Sequence, residues 1–274
     1  MMRWALSRGL PFHSEAGMYV TGWALHAVLD RVLHPYINYF SEPPDRRAFP
    51  RAHAFFERIV DVLLVRRRRG YEASTVDFDR LTDCGPEIPE DLQAMLAAGM
   101  RDAFERARTD DQLHPRLQNA YADARDFYRF TNTSGPETLE ETLLRAETDR
   151  RRRALIALLH PRELPPGYDF ANEGHAAWSH PCDEHEVRTT SLFELFDEAV
   201  DRGRRLAHGI HAGWEQRIPL FDAQTDAASP SVEALVGNHN LSDDRLLPCT
   251  KTCSDPFPLL EIADELCARY KRRK

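Results

Sequence analysis

Nowhere in the 274-residue chain does an apolar run approach the roughly 20 residues that a membrane-spanning helix requires. The first residues, MMRWALSRGLPFHSE, hold an apolar stretch too short and too broken for a secretory signal. A basic excess is missing as well. The net charge is -8, which argues against a nucleic-acid backbone as the main partner. Two arginine runs, Arg66 to Arg69 and Arg150 to Arg153, go against this trend. Four in a row wrap around a helix, so both read as solvated turns, with contact to an anionic headgroup or phosphate as the other reading. Cysteines are few and odd in number: Cys84, Cys182, Cys249, Cys253 and Cys267. That usage fits reduced thiols and a cytoplasmic location better than a disulfide framework. Cys249 and Cys253 make a CxxxC pair, but no second Cys/His pair stands at a zinc-finger spacing. Strand signals are nearly absent, since no alternating β-branched run is closed by a hairpin dipeptide.

Helical periodicity is what the chain has in quantity. The spacing predicts helices over His13 to Phe40, Pro50 to Arg69 (ending at Gly70), Pro89 to Arg108 and Arg116 to Thr131. It predicts more over Thr138 to His160 and Thr190 to Arg217, and a last one from Leu259 to the end. The Thr190 helix opens with Ser191 three residues before Glu194, the pattern of a capping box. Between helices, the stretch from Pro161 to Thr189 is polar and rich in Pro and His. The expectation is an all-α protein, one multi-helix, bundle-like domain over residues 1–274.

Within the first predicted helix, GWALHAVLDRVLHPYINYF places His26, Asp30 and His34 at four-residue intervals. Each helical residue turns about 100°, so these three share one stripe. In the second, AHAFFERIVD places His53 and Glu57 four apart, with Asp61 one turn further. Helices joined by a short connection pack antiparallel, so the two stripes can face each other. Imidazole and carboxylate are zinc ligands, and facing helices can build a metal site between them. Without a cation, the same groups would form a His-Asp-Glu hydrogen-bond network or solvent-facing polar stripes. Asp61 is a candidate for orienting a ligand imidazole. His13 and Glu15 read as cap and surface residues. His175, His180 and His185 are five apart, which is no helical ligand pattern, and their stretch reads as a surface loop packed through Trp178. His208 and His211 read as surface positions on an amphipathic helix.

The order HxxxD, then His, then HxxxE resembles the zinc-dependent phospholipase C family, whose fold is also that of fungal single-strand nucleases. HAVLDRVLHPY and AHAFFERIVDVLL carry the likeness. NAYADARDFYRF, AAWSHPCDEHE and SLFELFDEAVDRG extend it more weakly over most of the chain. The resemblance implies zinc, one to three ions, with His34, His53 and Glu57 completing one site. His26 and Asp30 would contribute to a neighbouring two-metal site, Asp30 as a bridge. It implies hydrolysis of phosphodiesters in phospholipid-like or other small-molecule substrates. The family places an Asp and a further His upstream; here 25 residues precede His26 and no Asp precedes Asp30. The expectation is therefore an N-terminally truncated or reduced homologue, and the alternative is a non-catalytic, metal-stabilised helical or binding protein.

Overall fold

The computed structural model describes residues 1–43, 47–131, 139–216, 236–237, 239–247, 249–250 and 253–272. Thr138, Arg217, Arg273 and Lys274, which fall at predicted helix ends, lie outside the described residues. The chain is mostly helical, as its periodicity predicts. The helices are α1 (Met2–Ser7), α2 (Glu15–Ser41), α3 (Ala52–Arg69), α4 (Phe78–Thr82), α5 (Glu90–Ala103) and α6 (Glu105–Arg108). They continue with α7 (Leu113–Thr131), α8 (Leu139–Arg145), α9 (Asp149–Ile156), α10 (Leu192–Gln216) and α11 (Leu259–Arg272). No described helix is long and apolar enough to cross a membrane.

Local chemistry sets the helix ends. Ser14 precedes α2, and its Oγ accepts from the Gly17 N–H at 3.2 Å. A side chain could not replace Gly17, because a Cβ there would stand 2.2 Å from the Phe12 carbonyl oxygen. Gly70 stops α3 in the left-handed region, at φ 71. The capping box of α10 forms as its sequence predicts. The Ser191 N–H donates to Glu194 Oε2 at 2.8 Å, and the Glu194 N–H donates to Ser191 Oγ at 3.3 Å. The Ser191 N–H first, and then the Ser191 hydroxyl, which donates to Glu194 Oε2 at 2.8 Å, hold the Glu194 carboxyl below its usual pKa. The predicted helix over Thr138 to His160 is two helices. Thr148 caps the second by accepting from the Arg151 N–H at 3.3 Å, which ends the first turn of periodicity before the next begins. The Pro89 to Arg108 helix likewise breaks at Phe104, whose backbone is extended.

Two strands correct the expectation of none. β1 (Trp178–His180) pairs antiparallel with β2 (Asp183–Arg188), aligning Trp178 with Arg188 and Ser179 with Val187. Strand propensity is not what holds them. Trp178 is buried, its Nε1–H donates to the Thr190 carbonyl at 2.9 Å, and the Arg188 guanidinium lies over its ring.

The chain divides into two compact units. One contains Met1–Asp30, Thr82–Asp126 and Glu198–Asn238. Its core packs Ala16, Val20, Ala24 and Val28 of α2 with Leu206, Ile210 and Trp214 of α10. The other contains Arg31–Leu81, Phe127–Asp197 and His239–Lys274. An aromatic cluster of Tyr36, Phe40, Phe56, Phe170, Trp178 and Phe257 fills it. Tyr36 is fully buried and donates to the Phe170 carbonyl at 2.9 Å, so burial pushes its phenol pKa up.

The second half of α2 is a rail for the chain after His239. The Arg31 Nε–H donates to the His239 carbonyl at 2.9 Å, His34 Nδ1 lies 2.7 Å from the Leu241 carbonyl, and the Asn38 amide donates to the Ser242 carbonyl. Positions 31, 34 and 38 share one helical face, which is why one segment can bond to all three. Further on, the Asp255 and Phe257 N–H groups donate to the Tyr39 and Phe40 carbonyls, both at 3.0 Å.

Candidate metal centre

His34 comes from α2, and His53 and Glu57 from the first two turns of α3. His34 Nε2 lies 3.3 Å from Glu57 Oε1, and His53 Nε2 lies 3.1 Å from the same oxygen. One donor atom from each of the three falls within 4.8 Å of the others. Tetrahedral zinc, with bonds of about 2.0–2.2 Å, holds its ligand atoms about 3.3–3.6 Å apart. The three side chains therefore fit such an ion with little rearrangement.

The protonation of His34 makes the case stronger. A carbonyl oxygen only accepts, so the short contact to Leu241 requires a proton on His34 Nδ1. In the neutral ring, Nε2 then presents a lone pair toward the Glu57 carboxylate. Two lone pairs facing each other at 3.3 Å repel unless a cation lies between them. Either a second proton on the imidazole or a metal ion answers that requirement. Burial of Glu57 would raise its pKa, but the hydrogen bonds and charges of His34 and His53 outweigh it and bring the carboxyl from 4.5 down to about 2. Glu57 is thus anionic at neutral pH. The side chains of His53 and Glu57 are each 39% exposed, and that of His34 15%. The cluster is partly open to solvent.

His26 and Asp30 belong to the other compact unit. They pair with each other, His26 Nε2 to Asp30 Oδ2, at 3.2 Å. Among the described residues, neither belongs to a set of three or more His, Cys, Asp or Glu donors within 4.8 Å of one another. Asp61 does not orient a ligand imidazole of the group. Its Oδ2 accepts from Arg58 Nη1 at 3.1 Å and from His160 Nε2 at 3.0 Å. His160 is buried and stacks on Phe78. His13, His208 and His211 are exposed, as expected of surface positions.

A second donor group lies in the same unit. Cys182 and Cys249 form a disulfide across 67 residues, with Cα atoms 5.8 Å apart. This corrects the expectation of reduced thiols for these two; Cys84, Cys253 and Cys267 form no disulfide among the described residues. Nor do Cys249 and Cys253 act as a pair, because Cys253 Sγ lies 3.0 Å from the His180 carbonyl. Asp243 is buried next to the disulfide, with Oδ2 3.6 Å from Cys249 Sγ. Its carbonyl accepts from the buried His180 Nε2–H at 2.9 Å, while His180 Nδ1 accepts from the Cys182 N–H at 3.1 Å. Burial, followed by the Arg245 charge, lowers the His180 pKa. His180 is therefore a neutral strut between the hairpin and the Leu241 segment. The residues that sequence reasoning missed are Leu241, which acts through a backbone atom, and His180, which has no helical spacing to reveal it. Comparison with known proteins finds no matching family model, curated protein or solved structure.

Proposed function

We propose that the protein is a zinc-dependent phosphodiester hydrolase acting on phospholipid-like substrates, with a phospholipase C-like helical fold and zinc ligands His34, His53 and Glu57. The observation that carries this reading is that one possible ligand atom from each of His34, His53 and Glu57 lies within 4.8 Å of the others, with the His34 tautomer fixed by Leu241. The sequence resemblance supplies the reaction and substrate class. Zinc held there would lower the pKa of a bound water to about 7 and attract an anionic phosphoryl oxygen. The chain's own part is to hold His34 in one tautomer, to keep Glu57 ionised and to leave the exposed side of the cluster open to substrate.

A second reading, a non-catalytic metal-stabilised helical or binding protein, is favoured by one observation: among the described residues, His26 and Asp30 pair with each other and belong to no set of three donors. Assay of phospholipid hydrolysis by the chelated and the zinc-restored protein separates the two. The hydrolase reading expects headgroup release that returns with zinc and is absent in Glu57→Gln. Zinc binding with no release in either sample would leave the non-catalytic reading.

A further inference from the structure

The arginine run of α9 does not simply face solvent. Arg150 and Arg153 line a cavity of about 580 Å³ together with Arg47 and Arg51, and Phe49 and Pro50 complete its wall. All six belong to the unit that holds the metal-centre residues. This volume is in the range of small-molecule sites. Arg153 is fixed by a two-pronged contact in which its Nε and Nη2 donate to Asp264 at 2.8 and 2.7 Å. That contact leaves Nη1 as its remaining nitrogen. Among the described residues, Arg51 and Arg150 make no ion pair. The neighbouring Asp149 is engaged with Arg152, at 2.8 Å.

Asp264 offsets the charge of Arg153, and the Arg51 and Arg150 guanidinium groups add positive charge at the same concavity, while the chain as a whole is acidic, at -8. A local reversal of that sign lowers the free energy of an anion there and nowhere near the acidic surface. Guanidinium forks match the oxygens of a phosphate, which a lysine point charge does not. The cavity is also much larger than a bare phosphate, and Phe49 and Pro50 give it apolar wall. We propose that this cavity is a binding site for a phosphomonoester carried on a small organic group, either a soluble metabolite or a lipid headgroup. The proposal does not depend on zinc at His34, His53 and Glu57.

Two probes with the same terminal chemistry test it. Glycerol 3-phosphate is titrated calorimetrically into the full chain, and flotation is measured with phosphatidylcholine vesicles with and without phosphatidic acid. Each is repeated with Arg51→Ser/Arg150→Ser and with Glu57→Gln, folding being checked by circular dichroism. Binding in at least one arm is expected, weaker by about tenfold or more in the double arginine variant, since each charged hydrogen bond is worth that much. It should weaken with added salt and be unchanged in Glu57→Gln. Binding in the soluble arm identifies a metabolite site, and binding only to phosphatidic acid vesicles a headgroup site. No binding in either arm, equal binding by the double arginine variant, or loss in Glu57→Gln would overturn the proposal.

Discussion

Two groups of potential metal donors lie in one compact unit and are built in opposite ways. His34, His53 and Glu57 stand on long helices, and nothing covalent joins them. Cys182, Asp243 and Cys249 stand on a hairpin and on turns without regular structure, and their sulfurs are bonded to each other. In the first, helix packing brings three ligand atoms within 4.8 Å of one another, so an imidazole proton or a cation from outside must lie between them. In the second, the disulfide has used the sulfurs, so what the group supplies is attachment. It fastens the segment whose Leu241 carbonyl fixes the His34 tautomer. The cysteine group thus ties down the segment that meets His34, and the histidine group is the one proposed to hold a cation.

That division of roles can be broken at several points. The largest effect is expected from His53→Ala or Glu57→Ala. Loss of an outer partner of a metal ligand costs about 10–100-fold in affinity, so loss of a ligand should exceed about 100-fold. Competition titration with a zinc indicator measures this. Next comes Cys182→Ser/Cys249→Ser. Opening the loop should lower stability by about 2–4 kcal/mol in chemical denaturation. It should also weaken zinc binding about tenfold, as removal of an outer ligand partner does, because Leu241 loses its fastening. A variant that loses stability but keeps full zinc affinity would show that the two groups act independently.

A pH series sharpens the comparison further. The folded-state pKa of Glu57 is depressed, so its stabilising contribution is complete above about 4.5 and disappears as pH falls toward about 2. Zinc-free wild type should lose stability through that window, and Glu57→Gln should show a shallower acid limb in thermal melts. The smallest effect is expected from Asp61→Asn. It weakens the contacts to Arg58 and His160, at a cost of about 1 kcal/mol, and should leave zinc affinity unchanged.

Legibility in the sequence follows the same division. Four-residue spacing puts His53 and Glu57 on one face of α3 because helical geometry is local, and Gly70 and the Ser191/Glu194 box mark helix ends for the same reason. The partnership of Cys182 with Cys249 is not legible, because it depends on a chain reversal 67 residues long. Asp61 shares the stripe of Glu57, yet it is taken by His160, which lies far along the chain and carries no periodic signal. The hairpin escapes notice because burial of Trp178, not alternation, stabilises it. The break before Asp149 leaves only a Thr148 cap as a clue inside an otherwise continuous pattern.

The most direct test of the cation site is elemental analysis of the protein purified without chelator or histidine tag, beside Glu57→Gln prepared identically. The account predicts about one zinc per chain in the wild type and little or none in the variant. No zinc in the wild type after loading and dialysis, or equal zinc in the two, would contradict it.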